Sequence, residues 1–315
     1  MERIKLAPVK GVLPPVVTPF KDEELDLEAF ENNLKALNRT GLSGYVVLGS
    51  TGESVYLDER EKEMVLASAR EAAAPGKQLV MGTGQESTRA AIHLTRLAAK
   101  HGADFVLVVT PAYFKGQMTA EALMTHFTRV ADDSPIPVLL YNVPQFTALN
   151  LQPEVVAQLA QHPNIQGIKD STGDIAQLTE IIRMVPPEFA VLVGSDTVFY
   201  PALCVGATGG VLATPNVIPD LLVELFNLFL EGKHLEALNL QRRINPLASL
   251  VLKDYGVGGI KLAMDMMGFQ GGGVRSPLTI PHGARGRFSA ELAKLRPESH
   301  PQREETPLFK EPGDE

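Results

Sequence analysis

The chain has 315 residues, 44% of them hydrophobic and 21% charged, which excludes a disordered polymer, a coiled coil and a collagen-like fibre. A formal net charge of -8, no Trp and no Lys/Arg block together argue against a nucleic-acid surface. No apolar run nears the roughly 20 residues of a membrane span, MERIKLAPVKG lacks a signal-peptide core, and the single Cys204 cannot form an internal disulfide, so a cytoplasmic location is expected.

Short aliphatic runs recur along the first two-thirds of the chain: LPPVVTPF (13–20), GYVVLGS (44–50), QLVMGTG (78–84), DFVLVVTP (104–111), PVLLYNVP (137–144), IQGIKDS (165–171), FAVLVGSD (189–196) and TGGVLAT (208–214). Each is nearly continuous in apolar residues, the pattern of parallel strands buried on both faces. Helical spacing fills the gaps, with apolar residues at 27, 30, 34 and 37 and again at 91, 92, 94, 97 and 98. Helix starts are signalled by Asp22 or Asp26, Asp58, Ser87 and Asp174, and stops by Gly41, Gly76 and Gly102. Strand then helix, eight times, predicts an α/β fold of the (β/α)8 TIM-barrel type. A doubly wound sheet is the rival, but the first strand is followed by VVTPF rather than a glycine fingerprint.

Three further runs, 220–232, 234–256 and 259–268, keep helical spacing, and Pro246 is expected to bend or break the second. The expected division is a barrel over 1–219, a C-terminal helical appendage over 220–296 and a disordered acidic tail over 297–315. That tail carries six acidic residues against Arg303 and Lys310, with four prolines, and buries too little apolar surface to offset its ordering entropy.

In such a barrel the chemistry sits where the strands end, because the loops after them converge there. Those ends supply Thr18, the loop GSTGES (49–54), Thr110, Tyr113, Tyr141, Asn142, Lys169, Asp170, Ser171, Gly194 and Leu212. Lys169 reads either as a lysine salt-bridged to Asp170 or Glu180, or as a Schiff-base nucleophile. A lysine in water is neutral only about once in 2,500 at pH 7. An apolar mouth disfavours the ammonium form and frees the lone pair. Tyr141 reads as packing or as a phenol placed for proton relay beside an amine. In GSTGES the backbone N–H groups and the Ser50 and Thr51 hydroxyls suit a carboxylate, while Glu53 is expected to hold the loop by hydrogen bonds. The seven histidines show no ligand spacing, so no metal is expected. Cys204, in YPALCVGA, reads as a buried small hydrophobe.

In order along the chain, GSTGES, VTPAYF, YNVP, GIKDSTGD, VGSD and GGVLATPNV resemble the dihydrodipicolinate synthase / N-acetylneuraminate lyase family of class I aldolases, over about residues 8 to 296. The resemblance implies Lys169 as the Schiff-base lysine and Tyr141 as the proton-relay phenol. It also implies Ser50 and Thr51 as the pair that binds the substrate carboxylate, and Gly194 and Leu212 as pocket lining. Thr51 and Tyr113 would complete the relay, with Tyr113 lent across a dimer, and the family is usually a homotetramer of two such dimers. The implied reaction joins pyruvate to an aldehyde, or cleaves a 4-hydroxy-2-oxo acid, with no metal or organic cofactor.

Two residues depart from the lysine-pathway synthases. Phe146 stands where those enzymes place an arginine for the aldehyde's carboxylate, and Ala112 where they often carry a second tyrosine. KDSTGD and GIKLAMDMMGFQGGGVRSPL instead look like 4-hydroxy-2-oxoglutarate aldolases, in which Ser171 would touch the substrate. The leading expectation is therefore cleavage of 4-hydroxy-2-oxoglutarate to pyruvate and glyoxylate. The alternative is a 4-hydroxy-tetrahydrodipicolinate synthase or a sugar-acid aldolase. A phosphosugar barrel enzyme, suggested by VGSD and GATGGV, and a non-catalytic 2-oxo-acid sensor stand further back.

Overall fold

A computed structural model describes residues 8–295, so the acidic stretch 297–315 lies outside the described residues. Eight parallel strands form the barrel: β1 Gly11–Leu13, β2 Gly44–Val47, β3 Gln78–Gly82, β4 Phe105–Val109, β5 Val138–Asn142, β6 Ile165–Asp170, β7 Ala190–Val193 and β8 Gly209–Val211. From β2 to β8 each pairs with the next, and β1 pairs with β8. The last seam closes through a bridge from Pro15 to Val46, whose N–H donates to Pro14 O at 2.9 Å. The expected TIM barrel is present.

The first strand is the one most displaced from its sequence run, covering 11–13 rather than 13–20. Pro14 and Pro15 have no N–H to give a ladder, so regular pairing stops at Leu13 and only bridging bonds continue.

Strand alternation then sorts the side chains. Leu13, Val46, Val80, Phe105, Leu107, Leu139, Tyr141, Leu192 and Val211 fill the barrel interior. Their strand neighbours, including Val12, Val47, Leu140, Ile168 and Leu212, point outward into the layer shared with the helices.

The helices longer than one turn are α1 Leu27–Leu37, α2 Glu59–Ala72, α3 Thr88–Lys100, α4 Ala120–Asp133, α5 Pro153–Leu159, α6 Ile175–Met184, α7 Phe199–Cys204, α8 Pro219–Leu230, α9 His234–Ser249, α10 Gly256–Met266 and α11 Arg285–Leu295. Asp26, Asp58, Ser87 and Asp174 each accept from the first turn of α1, α2, α3 and α6, each cap worth about 1 kcal/mol. Asp22 caps nothing and turns a small hairpin instead. Gly76 and Gly102 take positive φ after α2 and α3, as stop signals do. Gly41 is not such a stop: a Cβ there would lie 2.6 Å from Val223 of α8, so it is glycine for close packing.

α8 lies against β1, where a Cβ at Gly11 would approach Phe226, and thus completes the barrel wall although its sequence run opens the expected appendage. Pro246 does not break α9, which stays helical to Ser249 and passes into a π-helical turn, Leu250–Asp254. α11 was not among the runs read from the sequence, because its apolar stripe is only Phe288, Leu292 and Leu295. Cys204 is exposed, contrary to expectation: it ends α7, one residue past the buried pair Ala202 and Leu203. Among the described residues no helix is long and apolar enough to cross a membrane.

One buried histidine should mark the acid limb of stability. His126 on α4 is 5% exposed, with Nδ1 2.9 Å from Thr88 Oγ1 and no partner for Nε2 among the described residues. Burial pushes its pKa down from 6.5 to about 4, with Glu86 pulling weakly upward. The unfolded chain therefore takes up this proton first as pH falls. Stability that is complete above pH 6.5 is lost on the way to about 4, by about 3 kcal/mol. Asp196, whose carboxyl burial pushes up to about 6, acts with the opposite sign over much of that window. His126→Gln should flatten the limb relative to wild type in urea unfolding at pH 4.5 and 7.5. Parallel pH dependences for the two proteins would show that His126 takes up its proton as readily in the folded as in the unfolded chain.

Candidate active site

Lys169 sits in register between Tyr141 of β5 and Leu192 of β7, so its stem enters the barrel interior. It is 4% exposed, and its Nζ lies 4.1 Å from the centroid of the Tyr141 ring. Neither acid weighed as a salt-bridge partner reaches it. Asp170 accepts from Asn142 Nδ2 at 2.8 Å, from Gln177 Nε2 at 3.0 Å and from Thr172. Glu180 pairs with Arg183. Among the described residues Lys169 forms no ion pair, which leaves an amine against a phenol at the floor of a cleft.

That cleft has a volume of about 510 Å³. Ser50, Thr51, Tyr141, Phe146, Lys169, Ser171 and Gly194 all line it, so seven of the nine residues given a role from the sequence share one cavity. Ser50 Oγ lies 3.5 Å from the Tyr141 hydroxyl. Gly194 is glycine for a steric reason: a Cβ would stand 1.9 Å from Ser171 Oγ and 3.0 Å from Lys169 Cε. Phe146 is at the rim and 69% exposed.

Two candidates are placed elsewhere. Leu212 was expected to line the pocket, but its side chain belongs to the outer core, and Val211 and Ala213 line the cavity instead. A one-residue step along a strand changes the face. Tyr113 is 80% exposed, stacked edge-on against Phe114 with centroids 5.1 Å apart, and does not line the cavity within one chain.

The loop that carries Ser50 and Thr51 is tied down from far along the chain. Glu53 takes a left-handed backbone, with φ of 53°, and turns its carboxylate inward. It meets Lys261 Nζ of α10 at 2.6 Å, both side chains being essentially buried, and it accepts from Arg275 N at 3.0 Å. Lys261 also donates to Thr18 O and Gly273 O. Glu53 was read as a loop holder, but its partner was not, because a lysine in GIKLAMDMMG looks like an ordinary polar helix position.

Asp196 plays a comparable part at the end of β7, accepting from Ala213 N at 3.1 Å and from both N and Oγ1 of Thr214. Complete burial pushes its carboxyl up to about 6, partly offset by the Thr214 and Ala213 N–H groups and by the charge of Lys169. Lys253, on the π-helical turn, also lines the cavity and was missed, since nothing in VLKDYG marks it. No group of three His, Cys, Asp or Glu residues suited to a metal occurs among the described residues.

A buried amine thus lies beside a phenol at the strand ends of a (β/α)8 barrel. The chain belongs to the dihydrodipicolinate synthetase family, whose sequence model matches residues 8–290. It is 40% identical over 271 residues to the 4-hydroxy-tetrahydrodipicolinate synthase of Methanothrix thermoacetophila, covering 85% of this chain and 90% of that one. The synthase of Methanoculleus marisnigri is 39% identical over 273 residues, covering 85% and 93%. Among solved structures, the dihydrodipicolinate synthase of Thermotoga maritima superposes with a TM-score of 0.87 at 31% identity, covering 90% of this chain and 98% of that one. A prophage protein of the same family from E. coli K12, in complex with pyruvate, gives 0.86 at 28% identity, covering 91% and 98%. The family consists of class I aldolases that use pyruvate, an aldehyde-type partner and a lysine Schiff base.

Proposed function

We propose that Lys169 is the Schiff-base lysine and that the protein condenses pyruvate with aspartate semialdehyde, as a 4-hydroxy-tetrahydrodipicolinate synthase. The observation that carries the lysine assignment is the unpaired Lys169 amine 4.1 Å from the Tyr141 ring at the cavity floor. The named synthases at 39–40% identity support the acceptor.

In this reading Lys169 Nζ attacks the ketone carbon of pyruvate, the carbinolamine loses water, and a protonated imine forms. Loss of a methyl proton gives the enamine, whose carbon adds to the aldehyde; attack of the semialdehyde's own amine on the new imine carbon then closes the ring and expels the Lys169 amine. Tyr141 carries protons to and from the departing oxygen, with Ser50 Oγ 3.5 Å from its hydroxyl. Ser50 and Thr51 hold the pyruvate carboxylate, with Ser171 and Gly194 beside it. Tyr113 would reach this relay only from a second copy of the chain. The exposure of Val55 (83%), Tyr113 (80%) and Phe114 (66%) supports such a dimer.

One observation favours the second reading, cleavage of 4-hydroxy-2-oxoglutarate: Phe146 rather than a guanidinium stands at the rim. A missing charged hydrogen bond is worth roughly 1.5–3 kcal/mol. The two readings separate in one kinetic comparison. For a synthase, kcat/KM for semialdehyde condensation exceeds that for 4-hydroxy-2-oxoglutarate cleavage, and Phe146→Arg widens the gap. If cleavage is instead favoured by about tenfold or more, equivalent to about 1.4 kcal/mol, the aldolase reading replaces it.

A further inference from the structure

We propose that Lys253 binds the second carboxylate of the substrate, the one remote from the imine, and so supplies the cation that Phe146 does not. The inference rests on the Schiff-base reading above and names the specificity residue of that same cavity. The titratable side chains that line it are Tyr141, Lys169 and Lys253, with no carboxylate among them. With no acid on the wall and Lys169 committed to the ketone carbon, Lys253 is the one cation left among the lining residues to meet a second anionic end. An ammonium-only or neutral ligand would gain nothing from it.

Depth assigns the ends. Lys169 is 4% exposed and fixes the ketone carbon at the floor, beside the Ser50 and Thr51 hydroxyls. Lys253 is exposed, and so lies at the open side with Phe146. A ligand held as an imine at the floor therefore directs its far end toward Lys253.

The turn that carries Lys253 is built to leave it free. Leu250 and Val251 are buried and anchor the π-helical turn Leu250–Asp254 to the core. Single π-turns are frequent at functional sites. The adjacent acid, Asp254, is already engaged by Arg287 of α11 at 2.9 Å, and the same guanidinium donates to the Tyr255 hydroxyl at 2.8 Å. Among the described residues Lys253 makes no ion pair or hydrogen bond, so its charge is available. Val257 and Ile260 of the following helix α10 add an apolar wall beside it.

The test uses two five-carbon 2-oxo acids that differ only at the far end, 2-oxoglutarate with a carboxylate and 2-oxopentanoate with a methyl. Apparent Kd values come from calorimetry on the full-length protein, and borohydride trapping reports imine formation separately. Wild type should prefer 2-oxoglutarate by about fivefold or more, and the preference should shrink as salt is raised. Lys253→Met should erase the preference, while Lys253→Arg should keep most of it. An equal preference in wild type and Lys253→Met, or none in wild type, overturns the inference. Failure to trap any imine with pyruvate would overturn the Schiff-base reading instead, and the carboxylate preference would still be readable from calorimetry.

Discussion

Lys169→Ala should lose essentially all turnover while keeping the fold. Borohydride with pyruvate should add one reduced adduct to the wild-type chain, mapped by mass spectrometry to Lys169, and none to the variant. The physical ground is local. Lys169 is buried, free of any ion pair among the described residues, and packed on a phenol within a cavity that also presents the Ser50 and Thr51 hydroxyls. Covalent catalysis depends on the lone pair of that one nitrogen, so no neighbouring group can substitute for it. Lys253 lines the same cavity but is exposed at its open side, which makes it the informative control. An adduct on Lys253, or on any other lysine, would move the chemistry away from β6. A variant that keeps more than about one-hundredth of wild-type kcat would also defeat the assignment.

The second large effect is on stability. Lys261→Met should cost about 3–5 kcal/mol, because it leaves the Glu53 carboxylate buried with one backbone donor and strips the Thr18 and Gly273 carbonyls of theirs. Urea unfolding would show the loss as a lower midpoint at unchanged slope. Glu53→Gln combined with Lys261→Met should recover a large part of it, since a neutral pair leaves no uncompensated charge. Purely additive losses would mean that the two residues act separately. The damage should also reach function. Glu53 anchors the turn that presents Ser50 and Thr51, so pyruvate binding should weaken in Lys261→Met even at temperatures where the protein is folded. Unchanged pyruvate affinity would confine the pair to a structural role.

Much of this protein is written in local pattern. Eight aliphatic runs separated by helical spacing specify parallel strands buried on both faces, and capping residues such as Asp58 and Ser87 mark where helices begin. Strand ends were legible as well. Once the barrel is inferred, Ser50, Thr51, Tyr141, Lys169, Ser171 and Gly194 fall on one rim, and the structure brings all six to one cavity. Sequence determines these features because they depend on neighbours a few residues away, through hydrogen-bond geometry and side-chain periodicity.

Tertiary structure alone decided the rest. Leu212 and Val211 are adjacent in sequence, yet only the twist and register of β8 choose which of them faces the cavity. Glu53 and Lys261 are joined by burial, and their 208-residue separation leaves no local trace of the pairing. Lys253, on the π-helical turn between α9 and α10, comes to line the cavity only in the folded chain. The composition of VLKDYG does not encode that placement. Local free energies of order 1 kcal/mol per residue select strands, helices and caps. Which distant charges meet, and which side of a strand looks into the cavity, is set only when the barrel closes and water leaves its interior.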